Sequence, residues 1–554
     1  MSAHFKWYPA SEEVVVPWNA RYSFPSQANK AVKITPRIPP KNGATFLPGQ
    51  IIRVEFPAQG YVNPINTTFE FDVTLQPYAT AANEITRFQN NIQCIFNRVR
   101  LLYGATPLED IINYNMVVRA LTEWTSTNQV GTMDQTSISE GIGGVCFGAD
   151  GSATTASVQG LVNVRQAYIQ GCDNSTMTTA LGLTNGIGPG LVPNNIIGTG
   201  LTTQGTNRNC TRRYQVNLAL GLLTQDKLLP VKFMASQLAI ELTLEQPNAC
   251  IFTQPGGASG ALPTYGVTNF NMIPEILEFD ASYDAMFLKG LQDGGVPIKF
   301  SSWHTFIFST AAASNVNLQV QERSRSVKAL FAMQRRQPYL MTTDSGATFF
   351  DTFNSSAAAN TGSTMSNYQW RIGGRYFPSQ PVQNSITLGG TVTNGGCEAF
   401  VELQKALNVV GDYRLSTSAN VLRWGLPSAS ASITPASGTA TNHNELDYVC
   451  NQSRYSSLTA SNGVPSYAYV SQAAANATGN TFCGNVGSAC YASAIDLETS
   501  NGVEISGLNA EEQSDIAFIA NWSGAQASNY NIEVYSYYDA MIILRENNVL
   551  ELIQ

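Results

Sequence analysis

Two stretches of this chain answer each other across half its length. Leu277 to Leu288 reads LEFDASYDAMFL, and Ile532 to Ile543 reads IEVYSYYDAMII. Superposed, they match Leu277 with Ile532, Glu278 with Glu533, Phe279 with Val534 and Ala281 with Ser536, and then share Tyr-Asp-Ala-Met. In the first copy Leu277, Phe279, Ala281, Tyr283 and Ala285 alternate with Glu278, Asp280, Ser282 and Asp284, the period of a half-buried strand. The pair predicts the closing strand of two copies of one β unit, one ending mid-chain and one at the end.

The chain between the copies repeats one order of events. Gln50 to Phe56, Thr68 to Leu75 and Ile95 to Tyr103 read as strands, with AQGYVNPIN as turn chemistry between the first two. Thr106 and Glu109 have the spacing of a capping box, with Pro107 at the first helical position. Leu108, Ile111, Ile112, Val118, Leu121 and Trp124 then recur at helical spacing, which predicts an amphipathic helix laid on a sheet. A polar, Gly-rich excursion follows over about 125–209, and strands resume at Tyr214 to Leu223 and Leu238 to Leu244. After Gln292 to Pro297 (QDGGVP), strands are expected at Ile298 to Phe308, Asn315 to Gln321 and Ser326 to Met333, and in YQWRIGGRYFPSQPV before its Gly-rich turn. A helix in CEAFVELQKALNVVG carries Phe400, Leu403, Ala406 and Leu407 at helical spacing and stops near Gly411. A second excursion covers about 428–501, and strands at Gly502 to Leu508 and Asp515 to Ala520 precede the repeat copy.

Short strands separated by turns, in two runs of roughly 250 residues, fit a sandwich whose long loops gather at its ends. The expected architecture is all-β: two tandem eight-stranded jelly rolls, each with a short helix and a long polar insertion. Residues 1–48 read as an extended arm, 49–292 as the first roll and 293–554 as the second. The arm is rich in Pro and in aromatics (Trp7, Tyr8, Trp18, Tyr22, Phe24) that are costly to leave in water, so it is expected to lie on a neighbouring surface.

Composition narrows the function. Only 13% of the 554 residues are charged, against about 25% in ordinary soluble domains, which suits a subunit whose sides neighbours cover. The net charge of −8 argues against phosphate neutralisation as the main task. MSAHFKWYPASEE lacks the apolar segment of a secretory signal, and no run approaches the ~18 apolar residues of a membrane span. Nine scattered Cys read as a reduced thiol set rather than a disulfide framework, and the Asn-x-Ser/Thr triplets at Asn66, Asn174, Asn476 and Asn521 as composition.

Reactive chemistry is sparse. The three histidines are His4 in the arm, His304 beside Trp303 in a strand, and His443 in an excursion. No two sit at metal-ligand spacing, and Cys483 and Cys490 are too far apart for a zinc knuckle. Nucleophile elbows, P-loops and dinucleotide fingerprints are missing. Two carboxylate pairs, Glu278 with Asp280 and Glu533 with Asp539, have the residue types of a glycosidase, but their placing in both copies points to architecture and to ordinary solvent or interface positions. ERSRSVK and MQRRQ make a basic cluster, Arg323 to Arg336, that faces either DNA, an inner protein or solvent. No catalytic, cofactor-binding or metal-binding residue is assigned, and no cofactor is expected.

FNRVRLLYGATPLEDIINYN in the first half, YQWRIGGRYFPSQPV with its following helix in the second, LLPVKFMASQLAIELTL and the two YDAM stretches together resemble the double jelly-roll major capsid proteins of double-stranded DNA viruses, of the polinton-like virus, virophage and protist-virus type. The resemblance implies two jelly rolls standing side by side, perpendicular to the capsid surface, and three chains in a pseudo-hexagonal capsomer that tiles an icosahedral shell. It implies a structural virion protein made in the host cytoplasm, partnered by itself, by neighbouring capsomers and by penton and minor capsid or cement proteins. It implies no sequence-specific nucleic-acid binding and no particular membrane contact. The excursions would form an outward tower, and the arm would tie subunits together on the inner side. The alternative is a two-domain β-sandwich carbohydrate-binding or adhesion protein, with loop aromatics stacking on sugars.

Overall fold

The computed structural model describes residues 31–76, 85–88, 92–125, 171–173, 210–254, 264–292, 294–336, 365–388, 391–394, 397–409, 456–459, 465–468, 491–498, 506–511, 515–525, 529–545 and 550–554. Sixteen strands among them carry the fold. The first eight are β1 (Ala31–Ile34), β2 (Ile51–Glu55), β3 (Tyr61–Gln76), β4 (Phe96–Tyr103), β5 (Thr106–Ile112), β6 (Cys210–Val216), β7 (Leu238–Leu244) and β8 (Thr264–Phe279). The second eight are β9 (Val296–Thr310), β10 (Asn315–Val320), β11 (Val327–Arg336), β12 (Met365–Ile372), β13 (Arg375–Gln383), β14 (Ser493–Asp496), β15 (Ile516–Trp522) and β16 (Tyr530–Leu544).

Their pairing is the same in both halves. One sheet of the first half runs β1-β8-β3-β6 and the other β2-β7-β4-β5. The second half runs β9-β16-β11-β14 and β10-β15-β12-β13. Ranked within its half, each set reads 1-8-3-6 and 2-7-4-5, which is what results when a hairpin of four paired strands is rolled into two facing antiparallel sheets. The chain is a double jelly roll.

Alternation builds the sheets. β7 buries Leu238, Ile240, Leu242 and Leu244 towards the opposite sheet while Glu241 and Thr243 lean outward. Pro64, which donates no ladder hydrogen bond, sits where β3 bulges: Asn63 faces Glu275 and Thr68 faces Ile273, so the residues between them lie out of register. The expected AQGYVNPIN turn is therefore strand from Tyr61 onward. Two pieces of the expected arm also belong to the first roll, since β1 pairs with β8 and Thr45–Phe46 adds to the same strand. Residues 1–30 lie outside the described residues, as does most of both excursions. Ser493–Asp496, expected within the second excursion, is strand β14. Gly171–Asp173 and the hairpin of Ser456–Thr459 with Pro465–Ala468 are further strands described within them.

The helices include α1 (Tyr114–Thr125), α2 (Gly221–Thr224), α3 (Ala281–Gln292) and α4 (Cys397–Ala406). The helix expected from Thr106 begins eight residues later. Gly104, at φ +60°, turns the chain tightly so that Thr106 pairs with Tyr103, and the Thr-Pro-Leu-Glu segment becomes β5. Asn113, in the left-handed region at φ +52°, ends that strand and admits α1. The second-half helix forms over Cys397–Ala406, burying Ala399, Leu403 and Ala406, and Asn408 at φ +56° follows its last turn; Gly411, expected near its stop, lies outside the described residues.

The repeated tetrapeptide is strand in one copy only. Tyr538-Asp539-Ala540-Met541 lies in β16, but Tyr283-Asp284-Ala285-Met286 lies in helix α3, because β8 ends at Phe279 and Asp280 caps α3 by accepting from Tyr283 N at 3.2 Å. The fold also sets a different register between the halves. Val62 and Val327 make equivalent isolated bridges, to Leu229 and Leu508, and stand opposite Ile276 and Tyr538. Ile276 is thus the structural counterpart of Tyr538, seven residues before the one the letters select. The duplication is real, and the letter match is not its register.

Candidate functional site

A buried polar construction marks the seam where the first roll meets the second. It starts from β5, the last strand of its sheet, which lies against β9. Glu109, on β5, is almost wholly buried. Its carboxylate accepts from Gly221 N at 2.7 Å, Leu222 N at 2.8 Å and Ser302 Oγ at 2.6 Å. Gly221 and Leu222 open α2, whose Leu220 offers no side-chain cap, so Glu109 satisfies the free amides of a helix turn from another strand. Ser302 belongs to β9, which brings the second roll into the same knot. Burial pushes the Glu109 carboxyl up, and the hydroxyl and the two amides oppose that by favouring its charged form.

Close approach is required around this knot. A Cβ on Gly221 would lie 2.0 Å from Ser301 O, so only glycine lets α2 and β9 touch. Thr305 Oγ1 donates to Ile112 O at 2.8 Å, and Gln554 Nε2 donates to Leu108 O at 3.3 Å, so both the start and the end of the second roll bind β5. Apolar packing continues the seam: Trp124 of α1 stacks on Phe331 of β11 at 5.4 Å, and Trp303 meets the same ring at 5.5 Å. One hydrophobic cluster consequently runs through both rolls.

His304 lies beside the seam, at a cavity of about 330 Å³ bordered by Asp110, Thr305, Glu322, Arg323, Ser324 and Gln554. Its Nδ1 is 3.3 Å from both oxygens of Glu322, and its ring lies 4.0 Å from that of Tyr538. Glu322 Oε1 also accepts from Arg323 N at 2.8 Å, Ser324 N at 2.9 Å and Ser324 Oγ at 2.7 Å. Burial would push the Glu322 carboxyl up, but the His304 ring and the Ser536 and Ser324 hydroxyls outweigh it and hold the group at about 2. The hydroxyl hydrogens of Ser324 and Thr305 point at Glu322 and Ile112 O, so neither is presented to His304 as a nucleophile.

The other sequence candidates are dispersed. Glu278 accepts from Gln59, and Asp280 caps α3. Glu533 and Asp539, read from sequence as solvent or interface positions, are both buried. Glu533 accepts from Arg335 Nη1 at 2.8 Å and from Tyr535 OH at 2.6 Å, while Asp539 accepts from Ser301 Oγ at 2.7 Å. Six residues along one strand separate the two by about 20 Å, too far for paired acid and base work. The basic cluster is divided by alternation. Lys328 faces Glu498 and Asp539, Arg325 pairs with Glu511, Arg335 with Glu533, and Arg323 is exposed. His4, His443, Cys483 and Cys490 lie outside the described residues. Among the described residues no group of three or more His, Cys, Asp or Glu is placed to hold a metal ion, and no helix is long and apolar enough to cross a membrane.

Sequence reading missed Glu109 as a seam residue because its Thr-x-x-Glu context pointed to a local cap. It missed Ser302 and Gly221 because nothing local marks them. The one available signal was a glutamate amid LEDII, a segment otherwise apolar enough to be buried.

No family model matches the chain, and no curated protein matches it. Solved structures do. The crystal structure of the mavirus major capsid protein is 8% identical, with 99% of this chain and 96% of that chain covered at a TM-score of 0.48. The Sputnik virophage structure determined by cryo-EM is 10% identical, with 100% and 94% covered at 0.46. The PBCV-1 virus capsid model is 8% identical, with 96% and 99% covered at 0.46. The double jelly roll itself is established by the strand order, which is the same in both halves of the chain.

Proposed function

We propose that this chain is a structural shell subunit, the major capsid protein of a double-stranded DNA virus, and that three copies form a pseudo-hexagonal capsomer. The observation that carries the reading is one strand order built twice and joined by a buried seam. Such a molecule is a rigid block with two similar sides, and three of them offer six similar sides to a hexagonal lattice. The low charge density supports it, since obligate interfaces are depleted of charge at their centres and bury on the order of 2,000–5,000 Å². In this reading the rolls divide at residues 292 and 293, catalysis plays no part, and the protein is made in the host cytoplasm and resides in the virion. Its partners are its own copies, neighbouring capsomers, and penton and minor capsid or cement proteins. Native mass spectrometry and electron microscopy of the purified protein test it: a stable trimer of hexagonal outline is expected, and a monomer that binds glycans overturns it.

A further inference from the structure

The internal seam joins the fifth strand of the first roll, β5, to the first strand of the second, β9. The same strand order leaves the two opposite halves of that contact at the surface: β1, first in its roll, and β13, fifth in its own. The sheets fix which residues correspond. With Ile276 standing for Tyr538, their partners Ile34 and Ser302 correspond, Val32 falls on Phe300 and Arg37 on Thr305. The bridge of Ile38 to Met272 keeps the count, as Phe306 stands opposite Val534. The fourth strands match as closely, turning at Tyr103 and Ile372 and bulging at Asn97 and Ser366. Glu109, opposite Leu101, therefore corresponds to Phe377, opposite Trp370, and Ile112 corresponds to Gln383.

Burial separates the two copies of the contact. Phe300 is 5% exposed and Ser302 fully buried, whereas Val32 is 60% exposed and Tyr376 48%. The chemistry of the two open edges has changed in step. Where Glu109 accepts from Ser302, they carry Phe377 and Ile34, so a polar pair has become apolar on both sides. Where Ile112 O accepts from Thr305, they carry Gln383 O and Arg37. Arg37 places Nη2 on Glu70 at 3.3 Å and keeps further N–H groups to donate. Lys33 is paired with Glu275 at 2.5 Å, so its charge does not oppose an apolar contact. Pro378 and Pro381 deny β13 a continuous ladder, which leaves side chains to make the contact, as they do in the seam.

We infer that β13 of one chain docks on β1 of a second copy, repeating the internal seam between molecules, with Tyr376 and Phe377 against Val32 and Ile34. The contact joins unlike edges, so copies associate head to tail and close as a ring. The inference deepens the shell-subunit reading and rests on it: three chains close a ring of six rolls, with a fifth strand against a first at every junction.

The test places the photo-crosslinker p-benzoylphenylalanine at position 376 of the full chain and measures the assembled mass before irradiation. The expected result is a trimer in which position 376 links to residues 31–38 of another chain, giving products of two and three chain masses on denaturing gels. A trimer that links elsewhere, within one chain or not at all overturns the inference and leaves the shell reading standing. A monomer or dimer overturns both. Val32→Glu with Tyr376→Glu supplies the second readout. Both side chains are exposed in the single chain, so the double variant should fold as the parent does. The concentration at which its trimer half-dissociates should rise at least about thirtyfold, and unchanged assembly overturns the inference.

Discussion

Strands β5 and β13 hold the same place in their two rolls, each fifth in order, at the margin of its sheet and reached from the fourth through a glycine turn. Their surroundings are opposite. β5 is closed over by the second roll, and Glu109, Asp110 and Ile112 all take part in or border the seam. β13 is largely open, with Tyr376 48% exposed and the prolines Pro378 and Pro381 along it. Proline blunts an edge because it offers no amide to another strand. The fold was copied and the use of its edge was not. One copy of that edge is closed inside the molecule, and the other is a surface.

That contrast can be broken on the buried side or checked on the open one. The largest effect is expected from Trp124→Ala, which empties the stack on Phe331 and costs about 4 kcal/mol. Urea unfolding monitored by circular dichroism reads it. Glu109→Ala comes next, at about 3 kcal/mol, because two amides and a hydroxyl lose their acceptor in a buried site. Glu109→Gln should be milder and should change the pH profile. The carboxyl's folded pKa is raised, so the stability it contributes is full below the unfolded value near 4.5 and declines as pH rises through the folded value. The amide cannot titrate, so unfolding midpoints taken across that range should lose this alkaline-going decline. A profile identical to the parent's would show that Glu109 is not the titrating group.

Glu322 runs the other way. Its pKa is depressed to about 2, so its contribution is complete above about 4.5 and is lost as pH falls towards 2. Glu322→Gln is expected to remove about 2 kcal/mol at neutral pH and to flatten the acid limb, measured by thermal melts between pH 2 and 6. The smallest effect belongs to the open edge: Tyr376→Ala should change the stability of the isolated chain by less than about 0.5 kcal/mol. Equal losses for Tyr376→Ala and Glu109→Ala would abolish the distinction drawn between the two strands.

Much of this fold was legible because alternation is a local property. Leu238 to Leu244 was bounded to the residue, and the helix at Cys397 followed from its spacing. What sequence hid is non-local. The Thr106-Pro107-Leu108-Glu109 run satisfies the chemistry of a helix start, and a hairpin through Gly104 overrode it by pairing Thr106 with Tyr103. The YDAM pair suggested duplication at a register the sheets do not use. The partners of Glu109 stand 112 to 193 residues away along the chain, where no periodicity points. Helix α3 escaped notice because its residues also fit a strand pattern, which hid their helical spacing.

The contiguous core that passes under the seam has a thermodynamic consequence. Neither roll can melt without exposing rings that belong to the other, such as Trp124 and Phe331. Two domains by topology are thus one domain by cooperativity, and calorimetry should record a single endotherm whose van 't Hoff and calorimetric enthalpies agree. A lone first roll, cut after α3, would carry an unfilled half-core as its largest sticky surface.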